Sequence, residues 1–166
     1  MPATRESSAQ QDFGIFPTPA LIIPSQGSVL AFDYGLKRIG VAVGDRATGI
    51  AHPLLTIHAQ GGEQRFAAIA PLLREWQPVL LVLGLPLRMD GAAHPHGSRC
   101  RRFARRLAAR SGIPAVLVDE RLTSATARID LHASGVCGRR QKPMIDQIAA
   151  LHILQALFDG AHYETA

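Results

Sequence analysis

Acidic residues stand at the ends of apolar segments at distant places in this 166-residue sequence. Asp33 ends a run of β-favouring residues, and Asp119 and Glu120 follow the unbroken apolar run 114–118. An ionised carboxylate at the end of a buried strand needs a charged or hydrogen-bonding partner. Alternation along a strand places Asp119 and Glu120 on opposite faces, so only one of them can share a face with Asp33.

Asp146 lies on the apolar face of the predicted last helix. The residues three, four, seven and eleven positions further along are Ala149, Ala150, Ile153 and Leu157. This is the spacing of a single helix face. The helix dipole stabilises an ionised carboxylate near a helix start. We therefore expect Asp146 to point toward the sheet.

Asp33, Glu120 and Asp146 together could hold a divalent metal ion. Three carboxylates within a few ångströms raise one another's pKa unless a cation lies between them. Oxygen ligands suit Mg²⁺ and Mn²⁺, and one or two such ions can promote hydrolysis of a phosphodiester. These three acids are the predicted catalytic and metal-binding residues, with Mg²⁺ or Mn²⁺ as the inferred cofactor.

Each acid also has a purely structural explanation. Asp33 could cap a turn, because an Asp-x-Gly sequence is common there. Asp119 could pair with a neighbouring arginine or cap the following helix, and for this residue we prefer that explanation. Asp146 could reflect the general preference for acidic residues at helix starts. The sequence leaves open whether Asp119 or Glu120 is the second acid of the site.

The basic residues favour a polyanionic substrate. The net charge is +5, and 16 of the 18 basic residues are arginines, whose planar guanidinium matches phosphate. The predicted helix 98–110 carries six arginines and no acid. A run of like charges is usually a solvated face, but six without a compensating acid favour a counter-anion. The predicted substrate-binding residues are Lys37, Arg38, Arg88, Arg99, Arg102, Arg106, Arg121, Arg139, Arg140 and Lys142.

The hydrophobic pattern predicts the elements that position these residues. Their order in the chain, βββαβαβαα, indicates an α/β fold with a mixed five-stranded sheet and helices on both faces. A tight turn at 35–37 predicts a hairpin, and Pro53 predicts a sheet edge or a bulge. The predicted strands are 28–34, 38–44, 50–58, 79–83 and 114–120, and the predicted helices are 63–76, 98–110, 124–133 and 143–159.

Length and composition narrow the class of protein. We expect one domain, 28–160, after a flexible extension, 1–27, and before a short tail, 161–166. No apolar stretch reaches the ~18 residues that a membrane span needs, and no secretory signal is visible. The two cysteines, Cys100 and Cys137, form no CxxC pair, so neither a disulfide framework nor a zinc knuckle is indicated. A cytoplasmic protein is therefore predicted.

Four segments resemble the YqgF family, also called RuvX, within the RNase H-like superfamily: AFDYGLKRIGVAVGD, LVLGLPLRMDG, VLVDERLTS and DQIAALHILQ. The resemblance spans Val29 to about Phe158. It implies a small cytoplasmic nuclease that matures the 5′ end of pre-16S ribosomal RNA and is similar to Holliday-junction resolvases. By position it implies Asp33 as the first-strand metal ligand, Glu120 as the acid of the Asp-Glu-Arg segment and Asp146 as the final-helix acid.

The sequence departs from the resolvase pattern at one position. In related resolvase-like folds an acid ends the strand after the first helix, where this chain has Gly84-Leu85-Pro86 and no carboxylate. Glu120 is the candidate substitute.

The leading hypothesis is therefore a metal-dependent endonuclease acting on structured RNA in ribosome biogenesis, as a monomer or homodimer. Two alternatives remain. A resolvase of four-way DNA junctions would need a symmetric dimer, because two strands must be cut. A non-catalytic rRNA-binding assembly factor would use the arginine face alone. An ATP-binding module of the actin-like type is disfavoured, because it needs a second such domain.

Overall fold

Six strands form one mixed sheet in the computed structural model, which describes residues 21–88, 90, 92–120 and 141–166. The predicted helix 124–133 and the predicted contacts Arg121, Arg139 and Arg140 lie outside these residues. The strands are β1 Ser28–Tyr34, β2 Arg38–Asp45, β3 Ile50–His58, β4 Leu80–Leu85, β5 Ala115–Asp119 and β6 Tyr163–Thr165, and the helices are α1 Gly62–Trp76, α2 Gly97–Ser111 and α3 Gln141–Phe158.

The sheet has the strand order β3-β2-β1-β4-β5-β6. Strands β1, β4 and β5 are mutually parallel and form its centre, and the remaining pairs are antiparallel. Because the three central strands run in one direction, their carboxyl ends meet at the same edge of the sheet. Asp33 and Glu120 belong to that edge.

The first three strands follow the predicted meander. The backbone N–H of Gly35 donates to the carbonyl of Arg38 over 2.9 Å and closes the β1–β2 hairpin. Pro53 lies on the edge strand β3, beside a register irregularity opposite Val41 and Ala42. The missing N–H of proline therefore interrupts no ladder in the sheet centre.

Strand β6 was not predicted from the sequence. It lies within the segment predicted as a tail and pairs with β5, so the sheet has six strands rather than five. Its three residues are all exposed, and a segment of that length carries no measurable alternation of apolar and polar residues.

The helices cover both faces of the sheet. Helices α1 and α2 pack on one face against alternate residues such as Leu30 and Phe32. Helix α3 packs on the other face against Val29 and Ala31. Successive side chains along β1 therefore point to alternate faces of the sheet, and its odd-numbered residues face α3. In the described ranges, no helix combines the length and apolarity that a membrane crossing requires.

The start of α3 lies directly on the sheet at Gly40. This residue pairs with Asp33 on one side and with Thr56 on the other. A Cβ atom at Gly40 would lie 1.9 Å from the backbone oxygen of Asp146. The Thr56 hydroxyl donates to the carbonyl of Pro143 over 2.7 Å and holds the same turn of α3. Asp146 is thereby placed over the end of β1.

We expect Gly40→Ala to lower the free energy of unfolding by about 1–3 kcal/mol, because an added methyl group must displace backbone rather than a flexible side chain. Thermal unfolding would show a fall in Tm of several °C. Gly62→Ala is the control, because its new Cβ would meet only the mobile Nη1 of Arg106, at 3.2 Å. Equal stability of the two variants would contradict the close approach of α3 to β2.

Candidate active site

Asp33 faces α3 at the carboxyl end of β1. Its carboxyl group lies on the side of Val29 and Ala31, which pack against α3. Burial raises the pKa of Asp33 to about 7, and the nearby carboxylate of Asp146 adds to this effect while the Arg38 guanidinium opposes it. A turn cap would leave the carboxyl group in water. The surroundings of Asp33 instead resemble those of an acid that requires a cation.

Glu120 occupies the space beside Gly84. The glutamate follows β5 on the face of Val116 and Val118, which is the α3 face. A Cβ atom at Gly84 would lie 2.1 Å from Oε2 of Glu120 and 2.5 Å from Cδ1 of Ile153. The Glu120 carboxyl group therefore lies where a side chain at the end of β4 would be. The glycine that departs from the resolvase pattern makes room for an acid from the next strand.

The pKa of Glu120 is also raised, to about 8. Burial is the main cause, and the carboxylates of Asp33 and Asp119 contribute by repulsion. The interaction with Asp33 shows that these two acids share one region of the sheet edge. Asp119 follows Leu117, which faces α1 and α2, so its side chain belongs to the opposite face. Of the two candidates for the second acid, the structure thus brings Glu120 to Asp33.

Asp146 completes the acidic cluster and is held by an arginine. The Nε of Arg38 donates to Oδ2 of Asp146 over 2.6 Å, and 18% of the aspartate side chain is exposed. Asp146 also contributes to the raised pKa of Asp33. The three predicted acids therefore lie at one edge, and Asp146 is paired there with Arg38.

A groove of about 400 Å³ opens over Asp33 and Asp146. Its walls come from the β1–β2 turn, from Arg38 and from His96. His96 was not predicted as a site residue, since no spacing in the sequence links it to the acids. Its Nε2 lies 2.9 Å from the carbonyl oxygen of Tyr34, and its ring stacks on the Tyr34 ring with centroids 5.4 Å apart. These contacts with His96 hold Tyr34, the residue that follows Asp33, in place.

The donor set suits a hard divalent cation. The Asp33 carboxylate is repelled by Asp146 and repels Glu120, and the pKa values of Asp33 and Glu120 are raised, so a cation between these acids would relieve the repulsion. In the part of the chain that the structure describes, no three His, Cys, Asp or Glu side chains already form a ligand group. A shared ion would therefore require Asp146 to turn from Arg38 toward the other two acids.

The predicted basic residues lie in three kinds of surroundings. Lys37 and Arg38 line the acidic groove. Arg99, Arg102 and Arg106 line a second pocket. The others that the structure describes are exposed: Arg88, which is 3.6 Å from Asp90, and Lys142 in the first turn of α3.

Acids from other elements partly balance the arginines of α2. Arg101 pairs with Glu164 of β6 over 2.5 Å. Glu63 of α1 pairs with Arg110 over 2.7 Å and with Arg106 over 3.5 Å. The sequence of α2 contains no acid and therefore suggested a larger excess of positive charge than the structure shows. The acidic partners of its arginines come from elements distant in the chain.

We expect Asp33→Asn to be more stable than the wild type at about pH 8.5 in chelator, and to lose most of that advantage at about pH 5. The folded state keeps protons on Asp33 and Glu120 where the unfolded chain, with ordinary pKa values of 3.8 and 4.5, has released them. The stability that this provides is complete at low pH and is lost as the pH rises through about 7 and 8.

The measurement is Tm against pH, where 1 kcal/mol corresponds to about 2–4 °C in a chain of this size. Asp45→Asn at the other end of β2 is the control, because an asparagine oxygen can still accept the N–H groups of Ala47 and Thr48. If the two variants changed Tm equally at every pH, the raised pKa of Asp33 would be wrong.

The sequence of the chain matches one protein family. The family model described as "RuvX: Holliday junction resolvase" matches residues 27–160. A protein of Methylobacillus flagellatus named "Putative pre-16S rRNA nuclease" is 56% identical over 144 residues, which cover 87% of this chain and 97% of that protein. A protein of Nitrosomonas eutropha with the same name is 55% identical over 136 residues, covering 82% of this chain and 87% of its own length.

Solved structures support the fold. RuvC of T. thermophilus in complex with a Holliday junction aligns with a TM-score of 0.53 at 14% identity, over 83% of this chain and 99% of RuvC. The yeast mitochondrial Holliday junction resolvase aligns with a TM-score of 0.51 at 13% identity, over 84% and 80% of the two chains. The resolvase-like, RNase H-like fold predicted from the sequence is thereby confirmed. On the match to residues 27–160 and the high identity to these relatives, the chain belongs to the RuvX family.

Proposed function

We propose that this protein is a metal-dependent endonuclease that hydrolyses phosphodiester bonds in structured RNA, with the 5′ end of pre-16S rRNA as its substrate. The observation that carries the proposal is the convergence of Asp33, Glu120 and Asp146 at one edge of the sheet. The names of the relatives from M. flagellatus and N. eutropha support the RNA substrate. A substrate of this kind implies action in the cytoplasm.

Asp33, Glu120 and Asp146 would hold one or two Mg²⁺ or Mn²⁺ ions. Ions so bound lower the pKa of a water nucleophile and stabilise charge on the leaving oxygen. The chain itself positions the three carboxylates that would bind these ions. Gly84 leaves room for Glu120, and the contact of α3 with Gly40 brings Asp146 over β1.

Arg38 has two proposed roles in this site. Its 2.6 Å contact orients the Asp146 carboxylate. If Asp146 were bound to a metal ion instead, the guanidinium would be available to a phosphate, which it matches by shape and charge. Lys37, exposed on the same turn, is placed to contact the neighbouring backbone. We propose these two residues as substrate contacts, together with Arg99, Arg102 and Arg106 of α2.

Asp33→Asn and Glu120→Gln should each lower the cleavage rate of a precursor rRNA fragment by about 10²-fold or more, because the loss of several kcal/mol of metal-dependent stabilisation has that effect. Chelation of divalent ions should abolish cleavage by the wild type. The measurement is the rate of appearance of cut RNA with Mg²⁺, with Mn²⁺ and with EDTA.

Matched controls separate the site from general loss of charge. Asp119→Asn removes the neighbour of Glu120 on the opposite face, and Asp45→Asn removes a carboxylate from the distant end of β2. Both should cut at nearly the wild-type rate. Cleavage by Asp33→Asn at the wild-type rate would disprove the site, and binding without cleavage by every variant and by the wild type would favour the assembly-factor hypothesis.

A resolvase of four-way DNA junctions is the second candidate, because the matching family model carries that description. The same assay with a branched DNA substrate distinguishes the two. Symmetric cuts in the junction, together with a homodimer in solution, would favour resolution of junctions over RNA maturation.

A further inference from the structure

A second pocket lies on the opposite side of the β1–β2 turn from the acidic groove. Its volume is about 260 Å³, and its polar lining comes from one tyrosine and four arginines: Tyr34, Arg65, Arg99, Arg102 and Arg106. No acidic residue is among its described lining. A cavity with this many guanidinium groups is complementary to an anion rather than to an apolar ligand.

Arg65 forms the floor of this pocket and is buried. Only 8% of the residue is exposed. Its Nη1 donates to the Tyr34 hydroxyl over 3.2 Å, and its Nη2 donates to the carbonyl of Leu36. Its Nε has no hydrogen-bond partner in the described residues. A buried cation with an unsatisfied donor is costly unless an anion completes its contacts.

The start of α1 adds to the positive potential of the pocket. Gly62, the first residue of this 15-residue helix, lines the pocket, and the preceding Gly61 provides no side-chain cap. Free backbone N–H groups and the helix dipole attract anions at such a start. Arg99 and Arg102 have no acidic partner in the described residues, whereas Arg106 shares Glu63 with Arg110. Within the described ranges, most of this positive charge is therefore not balanced by an acid.

The pocket and the acidic groove are adjacent. Tyr34 immediately follows Asp33, and Leu36 lines both cavities. The Tyr34 ring also stacks on His96, a wall of the acidic groove. A strand that places one phosphate beside Asp33 can cross the β1–β2 turn and reach the arginine pocket with another.

We propose that this arginine pocket binds a phosphate group of the substrate strand at a position beside the scissile phosphate. The proposal rests on the proposed function only in taking a nucleic acid as the ligand. The pocket holds the strand through charge and hydrogen bonds to phosphate oxygens, and it reads no base. Its role is to set which phosphodiester lies over the acids.

Fluorescence anisotropy in EDTA tests the pocket without cleavage. The full chain is titrated with a labelled precursor rRNA fragment at several salt concentrations. Arg99→Ala/Arg102→Ala should weaken binding by about 10-fold or more and reduce the slope of log K against log salt by about one, as expected for the loss of one phosphate contact. The matched control is Arg74→Ala/Arg105→Ala, which removes two exposed arginines outside the pocket and should change binding much less.

Equal losses of RNA affinity in the two double variants, or unchanged binding by Arg99→Ala/Arg102→Ala, would contradict phosphate binding by the pocket. Arg99→Gln/Arg102→Gln, with Tm measured, keeps the test valid if the alanine variant is unstable. RNAs with a 5′-phosphate or a 5′-hydroxyl identify the source of the phosphate. If the pocket variant loses affinity equally for both RNAs, the bound group is a backbone phosphate. If it loses affinity only for the RNA with a 5′-phosphate, the bound group is the terminal phosphate.

The result of this binding test can be distinguished from the result of the cleavage assay for the proposed function. If no RNA is ever cut but the pocket variant alone loses affinity, the hydrolytic proposal fails and the pocket stands. If the wild type cuts and Arg99→Ala/Arg102→Ala binds and cuts equally well, the pocket fails and the hydrolytic proposal stands.

Discussion

Electrostatic repulsion between carboxylates at one edge of the sheet is the constraint on which the rest of this structure depends. Asp33 and Glu120 are brought together by parallel strands, and α3 adds Asp146. Burial and mutual repulsion raise the pKa of the first two. The fold thus keeps an unfavourable arrangement that a divalent cation would make favourable, and such strain at a site is a reason to assign it a function.

Two glycines make this arrangement sterically possible. Gly40 lets the backbone of α3 approach β2, and Gly84 leaves the space that the Glu120 carboxyl group fills. The end of β4 has no acid of its own, but the Glu120 carboxyl group from the adjacent strand lies beside it.

Positive charge is arranged around the acids in a complementary way. Arg38 lies inside the acidic groove and contacts Asp146, while the buried Arg65 organises the pocket across the β1–β2 turn. Some arginines of α2 are bound by acids of α1 and β6, so only part of that helix can contact a ligand. Acidic and arginine side chains thus line adjacent cavities that share the turn after β1.

Local pattern predicted every described element except β6, and it selected Asp33, Asp146 and either Asp119 or Glu120 as site acids. Alternation showed that only one of Asp119 and Glu120 can share a face with Asp33, helical spacing predicted the inward direction of Asp146, and Pro53 predicted a sheet edge or a bulge in β3. Tertiary structure alone decided that Glu120 lies over Gly84, that Arg38 holds Asp146, and that Arg65 and His96 flank Tyr34. The reason is that periodicity reports how a residue relates to its own strand or helix, whereas these contacts join residues far apart in the chain and depend on how separate elements pack.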